Sequence, residues 1–175
     1  MDNGELLAAL LATESAGKVF STVEAYCHEH ADSIGWRAVG DRPNNSGPIG
    51  AAGDSARALL ERVTNAIDAV IERAHRDHDG KPVCTSPREA VQTWFGVPSH
   101  GLHSMADAAT RKLAQESVTV VLHPGDGPDK RAVDVIDYGT GLTQTQIPKT
   151  ILSLNAENKL DKFYLSGAFG QGGSA

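Results

Sequence analysis

One segment of this sequence has a pattern that restricts it to a long helix with two different faces. Over about residues 55–75, apolar side chains recur every three or four positions, which is the spacing of one face of an α-helix. Asp54 or Ser55 is suited to cap its first turn, because a short polar side chain accepts a hydrogen bond from a free backbone N–H group. We therefore predict a helix here whose apolar stripe faces the core. The stripe consists of Leu59, Val63, Ile67, Val70 and Ala74.

The opposite side of this helix carries two carboxylates and one amide. Glu61, Asn65 and Asp68 are spaced i, i+4 and i+7, which at 100° per residue places them within about 60° of each other. The residues alone leave two interpretations open. One is a solvated polar face, since Arg57 and Glu72 lie there too. The other is a site at which the three side chains act together.

A second candidate element follows a predicted pair of strands. The β-branched run at 118–122 and the run at 132–136 predict an antiparallel hairpin, and the chain then continues with Asp137-Tyr-Gly139-Thr-Gly141. A carboxylate at a strand end can accept a hydrogen bond from an exocyclic amine. The two glycines allow a sharp turn and a close approach of the backbone to a ligand. A plain glycine turn with Asp as a turn residue is the alternative.

The third candidate element is the glycine-rich segment 167–174. Its density of glycines suits a loop whose N–H groups surround phosphates. It is not a Walker A loop, because no Gly-Lys-Ser/Thr follows. Gly170-x-Gly172-x-x-Ala175 also matches a degenerate dinucleotide fingerprint, although no strand is predicted before it. A flexible tail is the remaining alternative.

Together, the three elements resemble the motifs of the GHKL ATPases, the superfamily of gyrase, heat-shock chaperones, histidine kinases and MutL. The family's N box is a helix with Glu, Asn four residues later, and then usually Asp-Ala. Its two glycine boxes are Asp-x-Gly-x-Gly and Gly-x-x-Gly-x-Gly. The matching residues, within about 55–175, are Glu61, Asn65, Asp68 and Ala69, then Asp137, Gly139 and Gly141, then Gly167, Gly170 and Gly172.

The resemblance implies a role for each motif. Glu61 would be the general base that activates water for attack on the γ-phosphate, and Asn65 would ligate Mg²⁺. Asp68 would support the nucleotide site. Asp137 would accept a hydrogen bond from the adenine amino group, with Gly139 and Gly141 shaping that pocket. A lid at 155–166 would carry Lys159 toward a phosphate, and the phosphates would be wrapped by Gly167, Gly170, Gln171, Gly172 and Gly173.

The resemblance also implies the fold class, an α/β (α+β) two-layer sandwich known as the Bergerat fold. In that fold, several strands and a helix follow the second glycine box, whereas this sequence stops shortly after it. We therefore expect a truncated domain at 55–175, preceded by a helical segment and loop at 1–54, with further C-terminal domains in the parent chain. Other helices are predicted at 5–32, with a break at 13–17, from a cap at Ser86 or Thr85 to Trp94, and near 103–115.

The composition supports a soluble protein and gives no sign of nucleic-acid binding. The net charge is −6, whereas nucleic-acid-binding domains more often have a basic face. Cys27 and Cys84 form no CxxC pair, and the apolar run at 6–12 is too short to span a membrane, so a cytoplasmic location is expected. The cluster His75–Asp79 matches no standard zinc motif, and no GxSxG elbow is present.

The resulting functional expectation is ATP binding with Mg²⁺-dependent hydrolysis in the parent protein. Relatives couple ATP binding to a conformational or dimerisation cycle, so a homodimer is a natural partner arrangement. The alternative is a nucleotide-binding or dimerisation module that hydrolyses nothing. Intact Glu61 and Asn65 favour hydrolysis by the parent, while the absent strands favour an inactive fragment.

Overall fold

The computed structural model describes residues 1–13, 15–35, 55–125, 127, 131–147 and 162–166. Within these residues it combines helices with a two-stranded antiparallel sheet, which confirms a mixed α+β class. The described part divides into two compact units. The elements are α1 (Asn3–Leu11), α2 (Ala16–Glu29), α3 (Ser55–Asp77), α4 (Pro87–Phe95), a 3₁₀ turn (Leu102–Ser104), α5 (Asp107–Glu116), β1 (Val118–Pro124) and β2 (Arg131–Asp137).

The first unit contains α1, α2 and the hairpin residues from Val121 to Asp134. The side chain of Asp2 accepts hydrogen bonds from the first backbone N–H groups of α1, and Ser15 does the same for α2. These caps explain the predicted break between the two helices, which the structure confirms. The N-terminal amino group forms a 2.8 Å ion pair with Glu29, which ties the start of α1 to the end of α2.

The second unit is built on α3, and the burial of this helix corrects the prediction of its core face. Val70 and Ala74 are buried as expected, but Ile67 is 41% exposed. Asp68, placed by the sequence on the polar face, is only 1% exposed. The reason is that another part of the chain, residues 162–166, covers Asp68 and Ile71. Apolar spacing predicts a helix and its phase, but not which elements cover each face.

The core of this unit lies between α3 and α4. Its fully buried members are Ile71, Cys84 and Ala90, and Cys84 thus fills the core as a small apolar side chain. Ser86 caps α4 as predicted, with its hydroxyl accepting the Glu89 N–H at 3.2 Å. The partly buried residues packed against this core are Val91, Trp94, Phe95, Tyr164 and Leu165.

The two strands are paired as the sequence predicts, and β2 ends at Asp137. The Tyr138 N–H donates to the Ser117 carbonyl at 2.9 Å, which closes the sheet beside the glycine turn. The predicted helix after Thr143 begins as one turn, in which Thr143 accepts from the Gln146 N–H at 2.9 Å, and its continuation lies outside the described residues. Among the helices that the structure describes, none is long and apolar enough to cross a membrane.

Candidate functional site

The Asp68 carboxylate on α3 is buried and is held by the backbone of a distant segment. The Ser166 N–H donates to its Oδ1 at 2.7 Å. A buried carboxylate without hydrogen bonds is costly, so this bond is the kind of compensation that burial at this position requires. Ser166 directly precedes Gly167, the first residue of the predicted second glycine box. The N-box helix is thereby connected to the chain immediately before that box.

The next residue on α3, Ala69, contacts the first glycine box. A β-carbon built on Gly139 would lie 2.5 Å from the Ala69 β-carbon and 2.7 Å from the Ala69 carbonyl carbon. Contacts this short do not occur between real atoms, and the helix backbone cannot yield to relieve them. Position 139 therefore requires glycine, because only a residue without a side chain permits this approach. Here the physical reason is packing against a helix, rather than only the turn chemistry that the sequence suggested.

The turn that follows β2 presents its carboxylate at an exposed position. Asp137 Oδ1 accepts the Gly139 N–H at 2.9 Å, an Asx-type bond that sets the shape of the turn. Gly141 has φ +61°, a left-handed conformation that side chains with a β-carbon rarely adopt. Asp137 itself is exposed to solvent. The turn thus combines a fixed backbone with an accessible acceptor.

Glu61 and Asn65 lie nearer the start of α3, on the side of the helix that also carries Asp68. With 1.5 Å of rise per residue, the seven residues from Glu61 to Asp68 span about 10 Å. The Arg57 guanidinium donates to Glu61 Oε1 at 3.3 Å, an i,i+4 ion pair with the Glu61 side chain 30% exposed. Asn65 is exposed. One helix face therefore changes from accessible side-chain oxygens at Glu61 and Asn65 to a buried carboxylate at Asp68.

The structure brings together only some of the residues that the sequence proposed. Glu61, Asn65 and Asp68 share one side of α3, and Ala69 of the same helix contacts Gly139, whose N–H is bonded to Asp137. Of the predicted lid, residues 162–166 are described, and they pack on α3. The remaining predicted residues, Lys159, Gly167, Gly170, Gln171, Gly172 and Gly173, lie outside the described residues.

Sequence reasoning missed a set of contacts one to two turns beyond Asp68. Lys162 forms an ion pair with Glu72, and the Tyr164 ring stacks on His75 with centroids 4.4 Å apart and planes 7° apart. Trp94 meets the Tyr164 ring edge-on at 5.9 Å. A signal was present, because Glu72 and His75 follow Asp68 by four and seven residues on the same helix face. The partner segment at 162–166 carried no comparable pattern.

These contacts also change the ionisation of Tyr164. Burial raises the pKa of its phenol above the ordinary value of 10.0, because the charged phenolate loses solvation there. The Lys162 ammonium lowers this pKa and the Glu72 carboxylate raises it, both by smaller amounts. The phenol is therefore held neutral against α3.

Within the described ranges, no group of three or more His, Cys, Asp or Glu side chains is arranged to hold a metal ion. His75, which belongs to the His75–Asp79 cluster considered above as a metal site, stacks on the Tyr164 ring. A magnesium ion that arrives with a nucleotide needs fewer protein ligands, because phosphate oxygens and water fill most of its coordination sphere. A single amide or carboxylate oxygen on α3 would be enough for a magnesium ion that is coordinated mainly by phosphate and water.

Comparisons with family models, with curated proteins and with solved structures found no match to this chain. 

Proposed function

We propose that this protein binds ATP together with Mg²⁺ at a Bergerat-type site and hydrolyses it. One observation carries the proposal. The adjacent residues Asp68 and Ala69 contact Ser166, which directly precedes the second predicted glycine box, and Gly139, which belongs to the first. Two segments that are far apart in the sequence thus meet the same turn of one helix. The convergence supports a common function for the three motifs.

The adenine contact is assigned to Asp137. A carboxylate has about four lone-pair positions, so the bond from the Gly139 N–H leaves capacity to accept one from an exocyclic amine. The exposed position of Asp137 after β2 leaves its carboxylate open to a ligand. Gly139 supports the assignment, because its close approach to Ala69 places the turn against α3, and Gly141 provides the left-handed conformation within that turn.

The phosphate end of the site is assigned to the start of α3. Asn65 offers an amide oxygen to Mg²⁺, which supplies charge neutralisation for the phosphates when it is bound. Glu61 takes a proton from the attacking water, a role that requires an accessible carboxylate. The exposed Arg57 guanidinium pairs with this carboxylate at 3.3 Å and leaves the Glu61 side chain 30% exposed. Lys159 and the glycine-rich segment, with Gly167, Gly170, Gln171, Gly172 and Gly173, complete the proposed phosphate contacts.

The test separates binding from hydrolysis in the protein at its full natural length. Glu61→Ala removes the proposed base but not the adenine or magnesium contacts, so we expect Mg-ATP affinity within about threefold of wild type. We expect hydrolysis to fall by at least 100-fold, in the range typical of general-base loss. Calorimetry measures the first quantity, and phosphate release under saturating ATP measures the second.

Arg57→Ala is the matched control, since it breaks the same ion pair while keeping the Glu61 carboxylate. It should retain most of the hydrolysis. Binding without hydrolysis by the wild-type protein would instead favour the non-hydrolysing module. No Mg-ATP binding by the wild-type protein would refute the proposal.

A further inference from the structure

The position of Asp68 is unusual for a carboxylate on a helix. Its side chain is 1% exposed, and it lies on a helix whose other buried residues are Ala66, Val70, Ile71 and Ala74. A charged group among apolar neighbours is costly unless hydrogen bonds replace its water. The Ser166 N–H at 2.7 Å is such a bond, and it comes from a distant part of the chain. Because this hydrogen bond offsets the free-energy cost of burying the Asp68 carboxylate, it also fixes the backbone at Ser166.

Three further contacts anchor the segment that Asp68 holds. Lys162 is paired with Glu72, the Tyr164 ring is stacked on His75, and Leu165 packs against the core cluster. All these partners belong to α3 or to the core beside it. Asp68 bonds the last described residue of the segment, whereas the ion pair and the ring stack hold its earlier part. Among these contacts, the hydrogen bond to Asp68 is the one that Ser166 itself makes.

The same burial argues that Asp68 does not touch a bound nucleotide. Glu61, Asn65 and Asp137 all have solvent-accessible side chains, as ligand contacts require. Asp68 is 1% exposed, and its Oδ1 accepts the Ser166 N–H at 2.7 Å. Its carboxylate is committed to the protein backbone. The geometry therefore fits a role in which Asp68 acts through the backbone that it bonds, rather than by direct contact with a nucleotide.

We propose that Asp68 is a positioning residue that fixes the backbone at Ser166, and with it the point from which the second glycine box continues. This inference rests on the proposed function and deepens it, because it assigns phosphate affinity to a residue that never contacts the phosphates. Ala69, the next residue on the helix, holds Gly139 of the first box. The Asp68–Ala69 pair therefore holds Ser166 and Gly139 at one turn of α3.

The experiment compares Asp68→Ala, Asp68→Asn and Asp77→Ala in the protein at its full natural length. Asp77 is the control, since it is an acidic residue of the same helix and its side chain is 59% exposed. Two quantities are measured for each variant: amide hydrogen exchange at Ser166 without nucleotide, and the dissociation constant for Mg-ATP. Far-UV circular dichroism checks that each variant is folded.

We expect Asp68→Ala to speed exchange at Ser166 at least tenfold and to weaken Mg-ATP binding at least tenfold. Asp68→Asn keeps an oxygen that accepts the Ser166 N–H, so it should restore most of the protection and most of the affinity, and it covers the case in which the alanine variant does not fold. Asp77→Ala should match the wild type in both. Faster exchange in Asp68→Ala with unchanged affinity would overturn the positioning role.

An asparagine variant that protects Ser166 like the wild type but binds as weakly as the alanine variant would also overturn it, because the charge itself would then be needed. Absence of Mg-ATP binding by the wild-type protein would overturn the proposed function and the positioning role with it. The exchange measurement needs no nucleotide. It therefore shows separately whether Asp68 holds Ser166.

Discussion

Gly139 packs directly on Ala69, so that a β-carbon at position 139 would lie 2.5 Å from the β-carbon of the alanine. The contact joins the turn after β2 to the middle of α3. It also explains why two small residues stand at these positions, since any larger side chain at 139 would force the turn away from the helix. The proposed adenine carboxylate, Asp137, is bonded to the same glycine and shares its placement.

The first prediction concerns Gly139→Ala. The added methyl group overlaps the helix backbone, so we expect a loss of about 1–3 kcal/mol in the free energy of unfolding, as for other overpacked positions. Mg-ATP affinity should fall as well, because the turn that carries Asp137 must shift. Urea denaturation measures the first quantity and calorimetry the second.

Gly17→Ala is the control for that substitution. Gly17 lies in α2, where the only atom near an added β-carbon, among the described residues, is the Ser15 hydroxyl oxygen at 3.7 Å. Alanine is a better helix former than glycine, so this variant should gain about 0.5–1 kcal/mol. Equal effects of the two substitutions would contradict the close approach at Gly139.

A second prediction concerns the ion pair between Lys162 and Glu72. Each side chain is 34% exposed, so the interaction is only partly shielded from water. A double-mutant cycle with Lys162→Met and Glu72→Gln should give a coupling energy of about 0.5–1 kcal/mol at low salt. The coupling should shrink in high salt, because the charges are screened. A coupling of zero at low salt would show that segment 162–166 is not held by this pair.

A third prediction concerns the alkaline limit of stability. Burial raises the pKa of Tyr164 in the folded protein above its ordinary value of 10.0. The resulting contribution to stability is fully present below pH 10.0 and is lost as the pH rises through the folded pKa. The free energy of unfolding of the wild type should therefore decline in that window.

Tyr164→Phe removes the titrating group and keeps the ring, so the part of the decline that belongs to Tyr164 should disappear. The ¹³C shift of the phenol carbon, assigned by comparison with this variant, measures the pKa directly. A Tyr164 pKa at or below 10.0 would contradict the burial of its phenol.

The helices and strands were predictable from the sequence because their signals are local. The apolar spacing of α3, the Ser86 cap of α4 and the β-branched run of β1 each act within a few residues. The polar side of α3 was also predictable as a face, since helical geometry alone places Glu61, Asn65 and Asp68 together.

The burial of Asp68 was not predictable, because it depends on a segment 98 residues away. Residues 162–166 have no periodicity that indicates docking, and their contacts with α3 involve an ion pair, a ring stack and one backbone hydrogen bond. The exposure of Ile67 was not predictable for the same reason, because the apolar character of a side chain does not determine whether another segment covers it. Long-range partners decide which face of an amphipathic helix becomes the core.

Asp137→Asn is the most direct test of the proposed hydrogen bond from the adenine amino group of ATP to the Asp137 carboxylate. Asparagine keeps an oxygen for the Gly139 N–H, so the turn is retained, but its amide nitrogen brings a donor against the donor of the adenine amine. Asp134→Asn is the matched control, an exposed acidic residue on the same strand whose carboxylate pairs with His123 at 2.7 Å. Calorimetry with Mg-ATP should show binding by the wild type and by Asp134→Asn, and none by Asp137→Asn. Unchanged ATP binding by Asp137→Asn would contradict the account.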